Sequence, residues 1–308
     1  TLVMALLFTG CAHLRGSSQD GLTGPKRTTV PLYRNPGTQD KIFVEVTLDD
    51  GKPRLFLVDT GSSLSMVSRQ VAIELDLPIR QRSTELRGLG GTTSWVSSVV
   101  KTAQLGAFRV HDIPVAVGIT GVPTQIGLVP LDGLIGNDIL RRFHVEIDYP
   151  AQTLTLSRPG EATPQPHAVP LFFNGQHALG QATLTARNTG GQTVQQHALL
   201  AIDTGARGLM LVGPSPSGLE TVASEGIEPV VGAGGAGSQA LPTRRLSIAQ
   251  ASLGGQTIAG PQTATWIHFD RSRRSHTPEM PGFVGHSILS KYKVTLDYPG
   301  KRFSLEPA

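Results

Sequence analysis

Leu55-Phe56-Leu57-Val58-Asp59-Thr60-Gly61 and Leu199-Leu200-Ala201-Ile202-Asp203-Thr204-Gly205 decide the fold. Each is an apolar run of strand length that ends in Asp-Thr-Gly, and the two aspartates stand 144 positions apart. Glycine permits the tight backbone, the threonine hydroxyl can hydrogen-bond, and the aspartate is left at the end of a buried element, pointing into a cleft. One copy reads as an ordinary turn, because Asp, Thr and Gly all favour turns. Two copies in matching surroundings do not.

Working outward, Gly88-Leu89-Gly90-Gly91-Thr92 matches Gly232-Ala233-Gly234-Gly235-Ala236, again 144 apart. Asp132 to Leu140 matches Pro281 to Leu289, now 149 apart, and Val145 to Pro150 matches Val294 to Pro299 at the same spacing. The change of five places a loop insertion in the second half, in the polar run His268 to Pro278. Pro159, Pro164, Pro166 and Pro170 mark a linker. The chain is an internal duplication, with lobes expected at 39–158 and 176–308 and a linker at 159–175.

Each half reads as strands. Ile42, Val44, Val46 and Leu48 alternate with Phe43, Glu45 and Thr47, as a strand with one buried face requires. Asp49-Asp50-Gly51-Lys52 turns the chain towards Asp59, and Asn188-Thr189-Gly190-Gly191 does the same before Asp203. Short helices are expected near Ser68 to Leu75 and after Gly136 and Gly285. With Gly 36 and Pro 22, turns and short strands are favoured over long helices.

Composition narrows the function classes. At 39% hydrophobic and 16% charged residues the chain can bury a core. Aromatics at 5% are too few for a single-stranded nucleic-acid platform, and a net charge of +4 does not imply a polyanion partner. A single cysteine excludes a disulfide framework and Cys-rich metal sites. Residues 1–11 form an apolar stretch too short to span a bilayer, ending in Phe8-Thr9-Gly10-Cys11. This resembles a bacterial lipobox. It makes residues 1–11 an incomplete lipoprotein signal segment, Cys11 the lipidated residue, and 12–38 a flexible polar tether. The expected location is the bacterial cell envelope, lipid-anchored and facing the periplasm or exterior.

Taken together, the motifs resemble the aspartic proteases of the pepsin/retropepsin class over residues 39 to 308. The resemblance rests on Asp59-Thr60-Gly61, Asp203-Thr204-Gly205, Leu134-Ile135-Gly136 and Phe283-Val284-Gly285. It implies an all-β, bilobal fold with two pseudo-symmetric, barrel-like lobes and a few short helices. It also implies one catalytic aspartate per lobe, Asp59 and Asp203, with an apolar-apolar-Gly segment closing a loop beneath each. Gly88, Leu89, Gly90 and Gly91, and Gly232, Ala233, Gly234 and Gly235, become two substrate-covering flaps, as in a fused retropepsin dimer. Thr60 and Thr204 would lock the two turns together across the lobes; Gly61, Ser62, Gly205 and Ala206 would support the pair. The implied reaction is peptide hydrolysis by a water held between two carboxyl groups that share one proton, with no metal and no cofactor. Ser62 can hydrogen-bond Asp59 whereas Ala206 cannot serve Asp203, so Asp59 is expected to ionise more easily. The implied partner is a peptide or protein substrate, the implied state a monomer. A catalytically silent peptide-binding protein and a structural envelope module remain alternatives on the same fold.

Other patterns carry less. Gly232 to Gly237 fits G-x-G-x-x-G, but Pro242 follows closely and no acidic residue sits about twenty positions on. Nine histidines form no His-Glu-x-x-His. His286 stands where the first half has Asn137 and reads as a helix-start or supporting residue. No Gly-x-Ser-x-Gly elbow occurs around Gly213. Arg271, Arg273 and Arg274 read as a solvated loop. Trp95 and Trp266 can line subsites or pack into the lobes, with neither reading favoured.

Overall fold

A computed structural model of the chain describes residues 3–4, 21–35, 38–78, 84–88, 91–118, 125–126, 129–161, 165, 167–213, 219–231, 240–268 and 282–307. Cys11, the flap residues Leu89, Gly90 and Gly232 to Gly235, and Arg271 to Arg274 lie outside these residues.

The architecture is all-β, and the duplication is visible in it. In the first half the strand Pro53–Val58 runs antiparallel to Thr38–Thr47 and parallel to Gly133–Ile135, with Ile135 opposite Val58. In the second half Thr193–Ile202 runs antiparallel to His177–Arg187 and parallel to Gly282–Val284, with Val284 opposite Ile202. The apolar-apolar-Gly segment of each half is therefore the strand beside the one that carries Asp-Thr-Gly. These central strands are apolar on both faces because both are covered. Among the described residues, nine strands form the first lobe's sheet and ten form the second's, one of them Val3–Met4 from the expected signal segment, which pairs with Thr221–Val231.

A third sheet joins the halves. Its six strands, in order, are Val169–Pro170, Arg302–Pro307, Tyr292–Asp297, His144–Asp148, Thr153–Ser157 and Arg27–Pro31. Val145 and Ile147 on one side and Val294 and Leu296 on the other are fully buried in the core that both lobes share. Two expected boundaries change as a result. Residues 27–31 and 33–35 are paired strands, not tether, and residues 169–170 and 172–174 are strands within the expected linker. Polar and proline-rich composition concealed them, because each borrows its apolar contact from a distant partner such as Leu154 opposite Val30.

The helices are short: Arg69–Glu74, Asn137–Leu140 and His286–Leu289. Ser68 starts the first, its hydroxyl accepting from the Val71 amide at 3.1 Å. No helix among the described residues is long and apolar enough to cross a membrane.

Candidate active site

Asp59 and Asp203 are brought together from the two lobes and are wholly buried. Their strands end at the same level because each aspartate amide donates to its neighbouring apolar-apolar-Gly segment, Asp59 to Ile135 O and Asp203 to Val284 O, both at 3.0 Å. The glycines then let the turns meet. A Cβ on Gly61 would fall inside the Asp203 carboxyl, and one on Gly205 would lie 2.6 Å from Asp59 Oδ1. Each carboxyl thus occupies the space that the other turn's glycine leaves open.

The threonines cross between lobes. Thr60 Oγ1 donates to Ile202 O at 2.6 Å and Thr204 Oγ1 donates to Val58 O at 2.7 Å. Each hydroxyl also accepts from the other threonine's amide, at 3.0 and 3.1 Å. Four bonds in a buried, low-dielectric setting tie the two turns to one another.

The carboxyls are not equivalent. Asp59 Oδ1 accepts from Gly61 N at 2.9 Å, whereas Asp203 Oδ1 accepts from both Gly205 N at 2.8 Å and Ala206 N at 3.0 Å. Asp59 Oδ2 and Asp203 Oδ2 are buried with no hydrogen-bond donor from any other group, and the two carboxyls are close enough to hydrogen-bond each other once one is protonated. Burial lifts Asp59 well above the ordinary carboxylate range, and the Asp203 charge lifts it further. Burial also raises Asp203, to about 6, against the lowering effect of the Lys41 charge and its two amide bonds. The second amide bond favours the Asp203 anion, so the geometry makes Asp59 the better-placed member to carry the shared proton, whereas the Ser62 comparison points the other way. The reason is local: Ser62 Oγ donates to Leu64 O at 2.7 Å and gives nothing to Asp59. Ala206 contributes through its amide, which no side-chain argument could anticipate.

The other expected residues divide by position. Leu134, Ile135 and Gly136, with Phe283, Val284 and Gly285, are buried beneath the aspartates. Gly88 pairs with Gly91 at the mouth of a hairpin made by Thr84–Gly88 and Gly91–Leu105. The strands Thr221–Val231 and Ala240–Leu253 pair antiparallel on either side of the second Gly-rich segment. Trp95 and Trp266 are buried at 5% and 6% exposure, Trp95 among Phe43, Leu57, Met66 and Leu134, so both pack into the lobes. Among the described residues, no three His, Cys, Asp or Glu side chains are grouped to hold a metal ion.

Three residues near the aspartates escaped the sequence reading. Lys41 is almost wholly buried, 3.5 Å from Asp40, and its charge acts on both carboxyls. Its position on an alternating strand gave no sign of this. Asn137 Nδ2 donates to Thr60 O at 2.6 Å, and Tyr298 Oη donates to Asn137 Oδ1 at 2.7 Å. The signal for Tyr298 was present: both repeats carry a tyrosine there, Tyr149 and Tyr298.

Residues 44–139 match the aspartyl protease family model. The crystal structure of a retropepsin-like aspartic protease from Rickettsia conorii aligns at 19% identity over 44% of this chain and 92% of that one, with a TM-score of 0.30. No curated protein matches the chain. The family match lies within the first lobe, and there the chain resembles the aspartyl proteases.

Proposed function

We propose that the chain is an aspartic endopeptidase in which Asp59 and Asp203 share one proton and hydrolyse a peptide held between the lobes. One observation carries this reading: two wholly buried carboxyls, one from each lobe, meet across glycines that make room for them. At neutral and mildly acidic pH such a pair cannot hold two full charges, so one proton stays between them. Asp203, the better-solvated anion through its two amide bonds, takes a proton from the attacking water. Asp59, the better placed to carry the shared proton, hydrogen-bonds the scissile carbonyl oxygen as negative charge develops there. That oxygen takes the Asp59 proton to give a neutral gem-diol; as the diol collapses one of its hydroxyls returns a proton to Asp59, the C–N bond breaks, and the proton gained by Asp203 passes to the leaving nitrogen. Water is split across the products, and the pair regains its single proton. The Gly-rich segments Gly88 to Gly91 and Gly232 to Gly235 would serve as flaps that close over the extended substrate and pair with its backbone. Both aspartates come from one chain, which supports action as a monomer.

Cleavage of a peptide library at pH 4 to 7, with and without pepstatin, tests the reading. Asp203→Asn and Asp59→Asn should each lower kcat by about a thousandfold or more while leaving the fold intact. Cleavage that persists in either variant refutes the mechanism. Retained peptide binding without cleavage by the native chain would favour a silent binding protein. The proposal includes lipid attachment at Cys11 and an envelope location; Cys11→Ser should move the protein from the detergent phase to the aqueous phase of a Triton X-114 partition.

A further inference from the structure

The two halves place a tyrosine and a helix-start residue at equivalent points beneath the aspartates, but wire them differently. Asn137 and His286 both follow the apolar-apolar-Gly segment and open short helices. Their backbones are held alike, Asn137 N donating to Ser62 O at 2.8 Å and His286 N to Ala206 O at 3.0 Å. Each faces a tyrosine from the opposite lobe, Tyr298 for Asn137 and Tyr149 for His286. Only one of the two contacts is a hydrogen bond.

On the first side the bonds form an unbroken series. Tyr298 Oη donates to Asn137 Oδ1 at 2.7 Å, Asn137 Nδ2 donates to Thr60 O at 2.6 Å, and Gly61 N donates to Asp59 Oδ1 at 2.9 Å. Thr60 O and Gly61 N belong to one peptide group, so the last two bonds lie at opposite ends of the same resonance unit. The amide of Asn137 is another such unit. Because Thr60 O can only accept, Asn137 must present its NH₂ there and its oxygen to Tyr298, which fixes the direction of every link. Bonds so aligned polarise one another. On the second side His286 meets Tyr149 edge-on with ring centroids 5.4 Å apart. Tyr149 Oη and His286 Nδ1 are both buried without a hydrogen-bond partner.

We propose that Asn137 and Tyr298 are positioning residues for Asp59, forming a cross-lobe hydrogen-bond chain through the Thr60–Gly61 peptide that has no equivalent beneath Asp203. The chain strengthens the Gly61 N–H as a donor and so makes Asp59 a stronger acid, as the proton donor of the pair needs to be. It also spans the lobes, so a shift of Tyr298 is felt at the Asp59 turn. This inference rests on the protease reading for its catalytic consequence, but not for its effect on ionisation.

Two readouts separate those dependences: the apparent pKa values of the carboxyl pair, from ¹³Cγ shifts of labelled aspartates, and the kcat and KM of a cleaved peptide. Tyr298→Phe should raise the upper apparent pKa by about half a unit. It should lower kcat about threefold to tenfold with KM unchanged. Tyr149→Phe, which removes an unpaired hydroxyl, should move neither. His286→Asn should supply the missing link on the second side, so that Tyr149→Phe then shifts the titration in that background. The proposal is overturned if Tyr298→Phe leaves the titration unchanged, or if Tyr149→Phe shifts it equally in the native background. Absence of cleavage by the native chain would refute the protease reading alone, since the titration is read without substrate.

Discussion

Replacing Thr60 by valine tests whether the paired turns are held by the threonine exchange or merely by burial. Valine has nearly the shape of threonine, so the change removes a hydroxyl without opening a cavity. Two bonds disappear: Thr60 Oγ1 to Ile202 O at 2.6 Å and Thr204 N to Thr60 Oγ1 at 3.0 Å. Thr204 is fully buried, so its amide cannot turn to water, and the Ile202 carbonyl loses the hydroxyl facing it. Leaving a buried donor or acceptor unmet costs about 1–3 kcal/mol, so two give about 2–6 kcal/mol. Against a total stability of about 5–15 kcal/mol for a folded domain, that is a large fraction. Urea denaturation followed by far-UV circular dichroism should show the midpoint falling with the slope little changed. Thr60→Ser keeps the hydroxyl and should stay within about 1 kcal/mol of the native chain. Thr60→Val combined with Thr204→Val should cost less than the two singles added, because both belong to one set of bonds. A Thr60→Val midpoint equivalent to a change below about 0.5 kcal/mol would refute the reasoning, since no orphaned amide is that cheap.

Three further outcomes follow from the same geometry. Both aspartates titrate above their unfolded value of 3.8, Asp203 at about 6, so the folded state binds more protons than the unfolded one in that window. The Asp203 contribution to stability is full below pH 3.8 and is lost as pH rises through about 6, and the Asp59 contribution has the same sign. Asp203→Asn should flatten that part of a Tm-against-pH curve, and an unchanged slope would contradict the shift. Gly205→Ala inserts a methyl 2.6 Å from Asp59 Oδ1, where only displacement of the carboxyl can relieve the overlap. Peptide cleavage should fall by about a hundredfold or more at unchanged substrate affinity, and a variant with native kcat would show that the turns do not meet as described. Ser68→Ala removes the acceptor for the Val71 amide and should cost about 1 kcal/mol in urea denaturation, with Ser68→Asp restoring it.

What the sequence disclosed and what it withheld differ in kind. Repeat matching finds what two halves have in common, and so it located Asp59 with Asp203, the segments ending at Gly136 and Gly285, and the two short helices that follow them, while the helix after Ser68 is legible from its own local sequence. Those features are local: an apolar run, a glycine where backbones touch, a serine before a helix. The shared sheet was hidden because Arg27–Pro31 and Val169–Pro170 have no apolar pattern of their own and become strands only through distant partners. The inequality of the two acids is hidden for a related reason. Ser62 and Ala206 differ in their side chains, and the side chain was the only thing to compare. The hydroxyl turned to Leu64 O, while the backbone amide of Ala206 supplied the bond that matters. A pair sharing one proton depends on inequality between its members, and inequality is what a repeat search discards. Asn137 against His286 is the instructive case, because the letters that failed to match mark where one aspartate is wired to the opposite lobe and the other is not. In a duplicated chain each half is free to drift from the other, so the mismatches inside otherwise matched segments are where the separate tasks of the two acids are written.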